Sequence, residues 1–325
     1  MFCSNPFTHA ELYQNGDVYF CCPAFTNYFV IGNIYRNSFE NIWNGVNAKK
    51  LRSKILKGDF SMCEEICEKR CNIYDINPGY NETVNEYPSY VTASIDNACN
   101  VMCTICRDEK YHVKYSKKEA EKEIETIWLP IFKNAETIRF GCSGESFASY
   151  KEAMLIKKTA EKYPDVRFHI HTNGILGNEK LLRELNIYDR IEHISVSIHA
   201  ASKNTYKKIV RGGDFDKVLK NLELYSKMKH EHKINDFRMV FCVYTDNYKE
   251  MPEFAKMAAK YNSKAVFWGL RVTARTKLGD NFDEYSVTNP NNKYHQDFLE
   301  VLKNPVFKEL SDCIEIYPDI KKYMP

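Results

Sequence analysis

No stretch of this sequence approaches the roughly 18 consecutive apolar residues of a membrane-spanning helix. Its opening, Met1-Phe2-Cys3-Ser4-Asn5-Pro6, lacks the charged and apolar regions of a signal peptide. A cytoplasmic chain without a membrane partner is the expectation. A surplus of one charge is missing too. The 46 Lys and Arg nearly balance the 43 Asp and Glu, leaving +3 over 325 residues, which argues against a nucleic-acid surface or a polyanionic partner. Internal repeats and low-complexity linkers are also absent. What remains is 44% hydrophobic residues, a globular proportion, on a chain long enough for one large domain and a small one.

Cysteine is plentiful, and nine of the twelve cysteines fall within the first 106 residues. In a reducing compartment such thiols are metal ligands or reactive groups in preference to disulfides. The tightest set is Cys99, Cys103 and Cys106, with a strand-like run before it and a basic helix-like run after it. A structural zinc site closes a tetrahedron with four protein ligands, and a four-iron cluster normally takes four cysteines. This loop offers three. One iron would stay open to bind a small molecule directly, and the chemistry would then belong to that bound cofactor.

From about Tyr90 onward, short β-rich runs alternate with longer amphipathic ones, the pattern of βα units and a parallel sheet. Six strands are predicted: Tyr90 to Asp96, Thr137 to Gly141, Val166 to Thr172, His193 to His199, Phe237 to Tyr244 and Ala265 to Val272. Helices are expected near Ser116 to Lys133, Tyr150 to Tyr163, Asn178 to Leu185, Asp214 to Lys229 and Lys249 to Tyr261. Residues two apart on a strand share a face. Ile194, Val196 and Ile198 therefore oppose His193, Ser195, Ser197 and His199, while Thr92, Ser94 and Asp96 share one face of the first strand. One face is polar, and polar groups need water, ligand or one another.

The run Cys99-Asn-Val-Met-Cys103-Thr-Ile-Cys106, followed by Arg107, resembles the cluster loop of the radical S-adenosylmethionine (SAM) superfamily. The resemblance implies a [4Fe-4S] cluster whose open iron chelates SAM, and one-electron cleavage of SAM to methionine and a 5′-deoxyadenosyl radical that abstracts hydrogen from an unactivated carbon. It also implies an α/β fold, a partial (β/α)6 TIM-type barrel over residues 87–276, with active-site loops at the C-terminal strand ends. A small iron-sulfur module over 1–86 would precede the barrel, and a tail over 277–325 would cover it. Gly141-Cys142-Ser143-Gly144-Glu145 resembles the family's Gly-Gly-Glu motif, which sets Gly144 and Glu145 against the methionine amino group. Asn173 belongs to a recurring Thr-Asn-Gly element. Ser197 resembles the ribose contact, and Arg211, in Ile209-Val-Arg211-Gly212-Gly213, the carboxylate contact.

The first segment carries Cys3, Cys21, Cys22, Cys63, Cys67 and Cys71 and resembles the SPASM or twitch module of this superfamily. That implies one auxiliary [4Fe-4S] cluster on Cys3, Cys21, Cys63 and Cys67, with Cys22 and Cys71 as alternates. Four clustered thiolates suit zinc as well. Members with this combination act on peptides or carbohydrates and draw electrons from a carrier such as flavodoxin or ferredoxin. A cysteine thiol near a substrate radical can quench it, since an ordinary thiol is mostly protonated at neutral pH. Cys22, Cys142 and Cys242 are the candidate donors for such an epimerisation of a peptide residue or sugar carbon. The alternative is oxidation through the auxiliary cluster, giving dehydrogenation of a carbohydrate or a peptide cross-link.

Overall fold

The computed structural model describes residues 2–63, 73–74, 77–106, 115–271 and 281–325. Cys67, Cys71 and Arg107 lie outside them. The six expected barrel strands are present as Tyr90–Ser94, Thr137–Phe140, Arg167–Thr172, Ile191–Ser197, Asp236–Val243 and Lys264–Gly269. Helices Tyr150–Lys162, Glu179–Glu184, Phe215–His230 and Met251–Lys260 alternate with them. This is the α/β partial (β/α)6 barrel. Contacts divide the chain into two compact units, one of Met1–Asn97, Val113–His169 and Leu185–Ile187, the other of Ala98–His112, Ile170–Glu184 and Tyr188–Pro325.

In the first unit Tyr90–Ser94 pairs in parallel with Thr137–Phe140. A strand that the sequence pattern did not single out, His9–Tyr13, pairs in parallel on its other side, and Asp17–Tyr19 returns antiparallel to that. Ala10, Leu12, Val91, Ala93, Ile138 and Phe140 are all fully buried on one face. The opposite face carries Glu11, Thr92 and Arg139 side by side, because Glu11 is in register with Thr92 and Thr92 with Arg139.

The helix expected over Ser116 to Lys133 begins with a Ser116/Glu119 capping box and runs as an α-helix over Lys117–Glu123. It then becomes a π-helical turn, Ile124–Trp128, followed by Leu129–Ile131 with Pro130 inside it. Proline has no N–H to give to the preceding turn, so regular winding is interrupted there. Glu123 fixes the bulge by accepting from Trp128 Nε1 at 2.8 Å, Tyr35 OH at 2.6 Å and Lys151 Nζ at 2.6 Å.

In the second unit Ile191–Ser197, Asp236–Val243 and Lys264–Gly269 are parallel neighbours. The C-terminal tail adds one more parallel strand, Ile314–Ile316, against Lys264–Gly269. The amphipathic run expected from Phe298 to Leu310 forms two helices, His295–Leu302 and Val306–Glu309, parted near Pro305. Their residues Phe298, Leu302, Val306 and Phe307 are buried. Ser202 and Asp214 cap the Lys203–Ile209 and Phe215–His230 helices by accepting from the third backbone N–H.

Candidate functional site

Within the second unit, the three-cysteine loop is held from several sides. Met102–Cys103 forms a short antiparallel ladder with Val210–Arg211, Cys103 opposite Val210 and Met102 opposite Arg211. Thr104 N–H donates to the Ile209 carbonyl at 2.9 Å, and Cys106 N–H closes a turn onto the Cys103 carbonyl at 3.1 Å. Asn173 Nδ2 donates to Asn100 Oδ1 at 2.8 Å and lies 4.0 Å from Cys99 Sγ. Thr104 Oγ1 and the buried Tyr244 hydroxyl are 3.1 Å apart. All three thiols are half-buried.

Arg211 is exposed, makes no ion pair with a carboxylate among the described residues, and donates from Nε to the Met102 carbonyl at 3.4 Å. Its side chain is therefore clipped to the cluster loop with most of its guanidinium uncommitted. Gly212 follows at φ +79, a left-handed conformation that favours glycine. Ser197 ends its strand opposite Val240 and is half-buried.

The inner polar face of this unit is hydrogen-bonded. His193 shares 2.9 Å with Asp236 Oδ2 through Nδ1 and 2.7 Å with Ser195 Oγ through Nε2, and it stacks on His171 at 6.1 Å. Against the burial that raises it, His193 and Arg238 hold the Asp236 carboxyl below the usual range. At the strand ends the Asn247 amide donates to the His199 and Cys242 carbonyls at 2.9 and 2.8 Å.

Within the first unit, Gly141-Cys142-Ser143-Gly144-Glu145 follows its strand directly, with Gly141 at φ +84. Glu145 is buried, and its carbonyl accepts from Ala148 and Ser149 N–H groups at the start of the Tyr150–Lys162 helix. Asp96 is buried as well, accepting from Ser149 Oγ at 2.7 Å and Tyr115 OH at 2.8 Å. The Glu152 carboxyl takes a 2.6 Å bond from Ser146 Oγ, yet burial pushes its pKa up to about 8.

The three candidate donor thiols differ sharply in access. Cys142 is exposed, whereas Cys22 is half-buried and Cys242 is only 7% exposed. The protein packed around Cys142 nonetheless pushes its pKa up to about 11, ahead of the opposing pull of Arg139. Cys242 is pushed up to about 12 by burial, against a hydrogen bond with Trp268. The sequence reading missed Glu11, Tyr13 and Arg139, which lie in the same electrostatic neighbourhood as Cys142. Tyr13 OH donates to Glu11 Oε2 at 3.2 Å, and burial raises the Glu11 carboxyl to about 7. The alternating polar residues of His9-Ala10-Glu11-Leu12-Tyr13 carried the signal.

In the amino-terminal segment, Cys3 is buried in an apolar cluster with Phe2, Phe7 and Ile55, and Cys63 packs against it. Cys21 and Cys22 are half-buried, Cys22 preceding the turn Pro23–Phe25. Among the described residues, no three His, Cys, Asp or Glu side chains are already drawn together as a metal site. The donor sets nonetheless fit iron-sulfur ligation: soft thiolates, three on one anchored loop and others beside a shared apolar cluster.

Two family profiles match, "Radical SAM superfamily" over residues 94–258 and "Iron-sulfur cluster-binding domain" (SPASM) over 3–72. The chain is 27% identical to an uncharacterized protein, MJ0804, of Methanocaldococcus jannaschii, over 51% of this chain and 57% of that one. It is 26% identical to GTP 3′,8-cyclase of Clostridium botulinum over 42% of each. It thus spans about half the length of the curated relatives it matches. Among solved structures, native anSMEcpe with bound AdoMet and Cp18Cys peptide aligns with TM-score 0.46 at 18% identity, covering 70% of this chain and 62% of that one. The first profile spans half the chain and includes the anchored Cys99, Cys103 and Cys106 loop and the strands around it, so the chain belongs to the radical SAM superfamily, with a SPASM iron-sulfur module ahead of its barrel.

Proposed function

We propose that this enzyme inverts a carbon centre of a peptide residue or a small carbohydrate, with Cys142 returning the hydrogen atom. The observation that carries the reading is the Cys142 thiol: accessible, held protonated at neutral pH, and two residues before Gly144-Glu145. Cys99, Cys103 and Cys106 would hold the four-iron cluster, whose chemistry with SAM bound is one-electron cleavage to methionine and a 5′-deoxyadenosyl radical.

The chain's own residues do the rest. Arg211 binds the SAM carboxylate through its uncommitted guanidinium nitrogens, Gly144 and Glu145 bind the amino group, and Ser197 binds a ribose hydroxyl. Asn173 orients the cysteine loop through Asn100. With the substrate C–H hydrogen taken up by the 5′-deoxyadenosyl radical to give 5′-deoxyadenosine, the Cys142 S–H bond would break and a new C–H bond form on the opposite face of the substrate carbon. The sulfur radical left on Cys142 regains its hydrogen as one electron and one proton. A low-potential one-electron carrier such as flavodoxin or ferredoxin supplies the electron, and solvent supplies the proton. Cys22 and Cys242 are the other candidate donors, and their lower access ranks them behind Cys142.

The experiment is turnover in heavy water with candidate peptides and amino sugars. Epimerisation by a thiol places one deuterium on the inverted carbon, and Cys142→Ala abolishes it while 5′-deoxyadenosine still forms. A product lighter by two hydrogens, with no deuterium incorporated, would replace this reading with cluster-mediated oxidation.

A further inference from the structure

Arg52, on the Val46–Leu56 helix, has no solvent exposure at all. Its Nε donates to the Pro6 carbonyl at 2.7 Å, and its Nη1 to the Trp43 carbonyl at 2.8 Å, Asn44 Oδ1 at 3.1 Å and the Glu82 carbonyl at 3.2 Å. The rings of Trp43, Phe20 and Phe7 lie 4.6, 4.8 and 5.8 Å from the guanidinium carbon. Among the described residues, Nη2 is buried with no hydrogen-bond partner. No carboxylate pairs with the group among the described residues, and burial alone lowers its pKa, to about 10.

Neutral carbonyls and aromatic faces orient a guanidinium and soften its burial, but they bring no full negative charge. A buried cation with idle donors implies an anion that completes the site. The surroundings say which one. Phe20 immediately precedes Cys21, Pro6 and Phe7 follow Cys3 by three and four positions, and Phe7 shares with Ile55 the apolar cluster that holds Cys3 and contacts Cys63.

We propose that Arg52 is the buried counter-charge of the auxiliary iron-sulfur cluster, and that its idle Nη2–H groups donate to the cluster's sulfur atoms. The inference rests on the reading of Cys3, Cys21 and Cys63 as ligands of that cluster. A four-iron cluster on four thiolates is a dianion when oxidised and gains one more negative charge on reduction. A fixed cation therefore favours the reduced form and raises the potential. No electron or atom passes through Arg52; it is a positioning and tuning residue.

The test is an EPR-monitored redox titration of the fully loaded enzyme, wild type, Arg52→Gln and Arg52→Lys, with iron and sulfide measured on each sample. At equal iron content, Arg52→Gln is expected to lower the reduced-to-oxidised ratio of the auxiliary cluster at fixed potential by about tenfold, about 59 mV for one electron. Arg52→Lys should fall between the two, and the SAM-binding cluster should stay put in all three. An unshifted auxiliary potential in Arg52→Gln overturns the proposal, as does an equal shift of both clusters. If Arg52→Gln cannot be loaded, Arg52→Lys decides: iron loss as complete as with glutamine makes Arg52 a packing residue only. Iron and sulfide for a single cluster in the wild type would instead refute the auxiliary-cluster reading, a failure distinct from an unshifted potential.

Discussion

Glu11 stands opposite Thr92 in parallel register, so a residue of the iron-sulfur segment and a residue of the first barrel strand share one polar face of one sheet. Behind them Leu12 and Ala93 share the apolar face, both fully buried. The amino-terminal segment is thus built into the sheet and not hung beside it.

That construction predicts shared stability. Leu12→Ala should destabilise the first unit by about 2–5 kcal/mol, the usual cost of truncating a buried leucine. Ile138→Ala, equally buried on Thr137–Phe140, should lower the same unfolding transition. Urea unfolding of the loaded enzyme, followed by tryptophan fluorescence, checks this. Two separate transitions, each moved by only one variant, would contradict it.

The βα alternation after Tyr90 was readable because the strands are rich in β-branched and aromatic residues and several of the helices begin with a capping side chain, Ser116, Ser149 and Asp214 among them. The His9–Tyr13 strand was not, because five residues of ordinary composition gain their β conformation from the Tyr90–Ser94 neighbour some 80 positions away. The Cys99, Cys103 and Cys106 loop stood out by its spacing, and the radical SAM profile spans it. Arg139 was hidden for the opposite reason: an arginine in a strand reads as a surface residue, and only register places it beside Glu11, Thr92 and Cys142. The missing counter-charge of Arg52 is a property of packing, which no sequence pattern records.

Buried titrating groups predict how stability depends on pH. Burial raises Glu152 from 4.5 to about 8 and Glu11 from 4.5 to about 7. Across that window the folded chain binds more protons than the unfolded one, so stability falls as pH rises. Burial lowers His9 from 6.5 to about 3 and His199 from 6.5 to about 4. Here the unfolded chain binds more protons, so stability falls as pH drops below 6.5. The two effects oppose each other between pH 4.5 and 6.5, and above 6.5 the glutamates act alone. The urea midpoint should therefore decline from pH 6.5 to 8.5, and Glu152→Gln, which keeps a partner for Ser146, should flatten that decline. A midpoint that rises over this range would show that burial does not shift these carboxyls as described.

Access to the candidate thiols predicts an order of reactivity. At pH 8.5 in the loaded, anaerobic enzyme, a small alkylating agent should modify Cys142 before Cys242, because only Cys142 is open to solvent. Both thiols are raised by burial, so each should react more slowly than an ordinary free thiol. Peptide mapping by mass spectrometry reads the order, and modification of Cys242 first would contradict the enclosure seen around it. Cys142→Ala in the substrate assay should then stop deuterium delivery, while Cys242→Ala should leave it within about twofold of wild type, the size expected for a mild packing loss.

Arg211 and Asn173 predict a separable pair of effects on cofactor binding. Among the described residues Arg211 keeps its guanidinium nitrogens uncommitted apart from the 3.4 Å contact with the Met102 carbonyl, so its expected role is a charged hydrogen bond to the SAM carboxylate. Losing such a bond costs about 1.5–3 kcal/mol, which raises the SAM dissociation constant by roughly 10- to 100-fold. Arg211→Gln should show that rise with an unchanged spectrum of the reduced cluster before SAM is added. Asn173 instead holds Asn100 at 2.8 Å and lies near Cys99 sulfur. Asn173→Ala should perturb the cluster spectrum in the absence of SAM and weaken SAM binding by only about fivefold, the equivalent of one neutral hydrogen bond near 1 kcal/mol. EPR of the reduced cluster with and without SAM, together with equilibrium binding of SAM, separates the two. If Arg211→Gln alters the SAM-free spectrum while SAM affinity holds, Arg211 braces the loop through Met102 and some other cation meets the carboxylate.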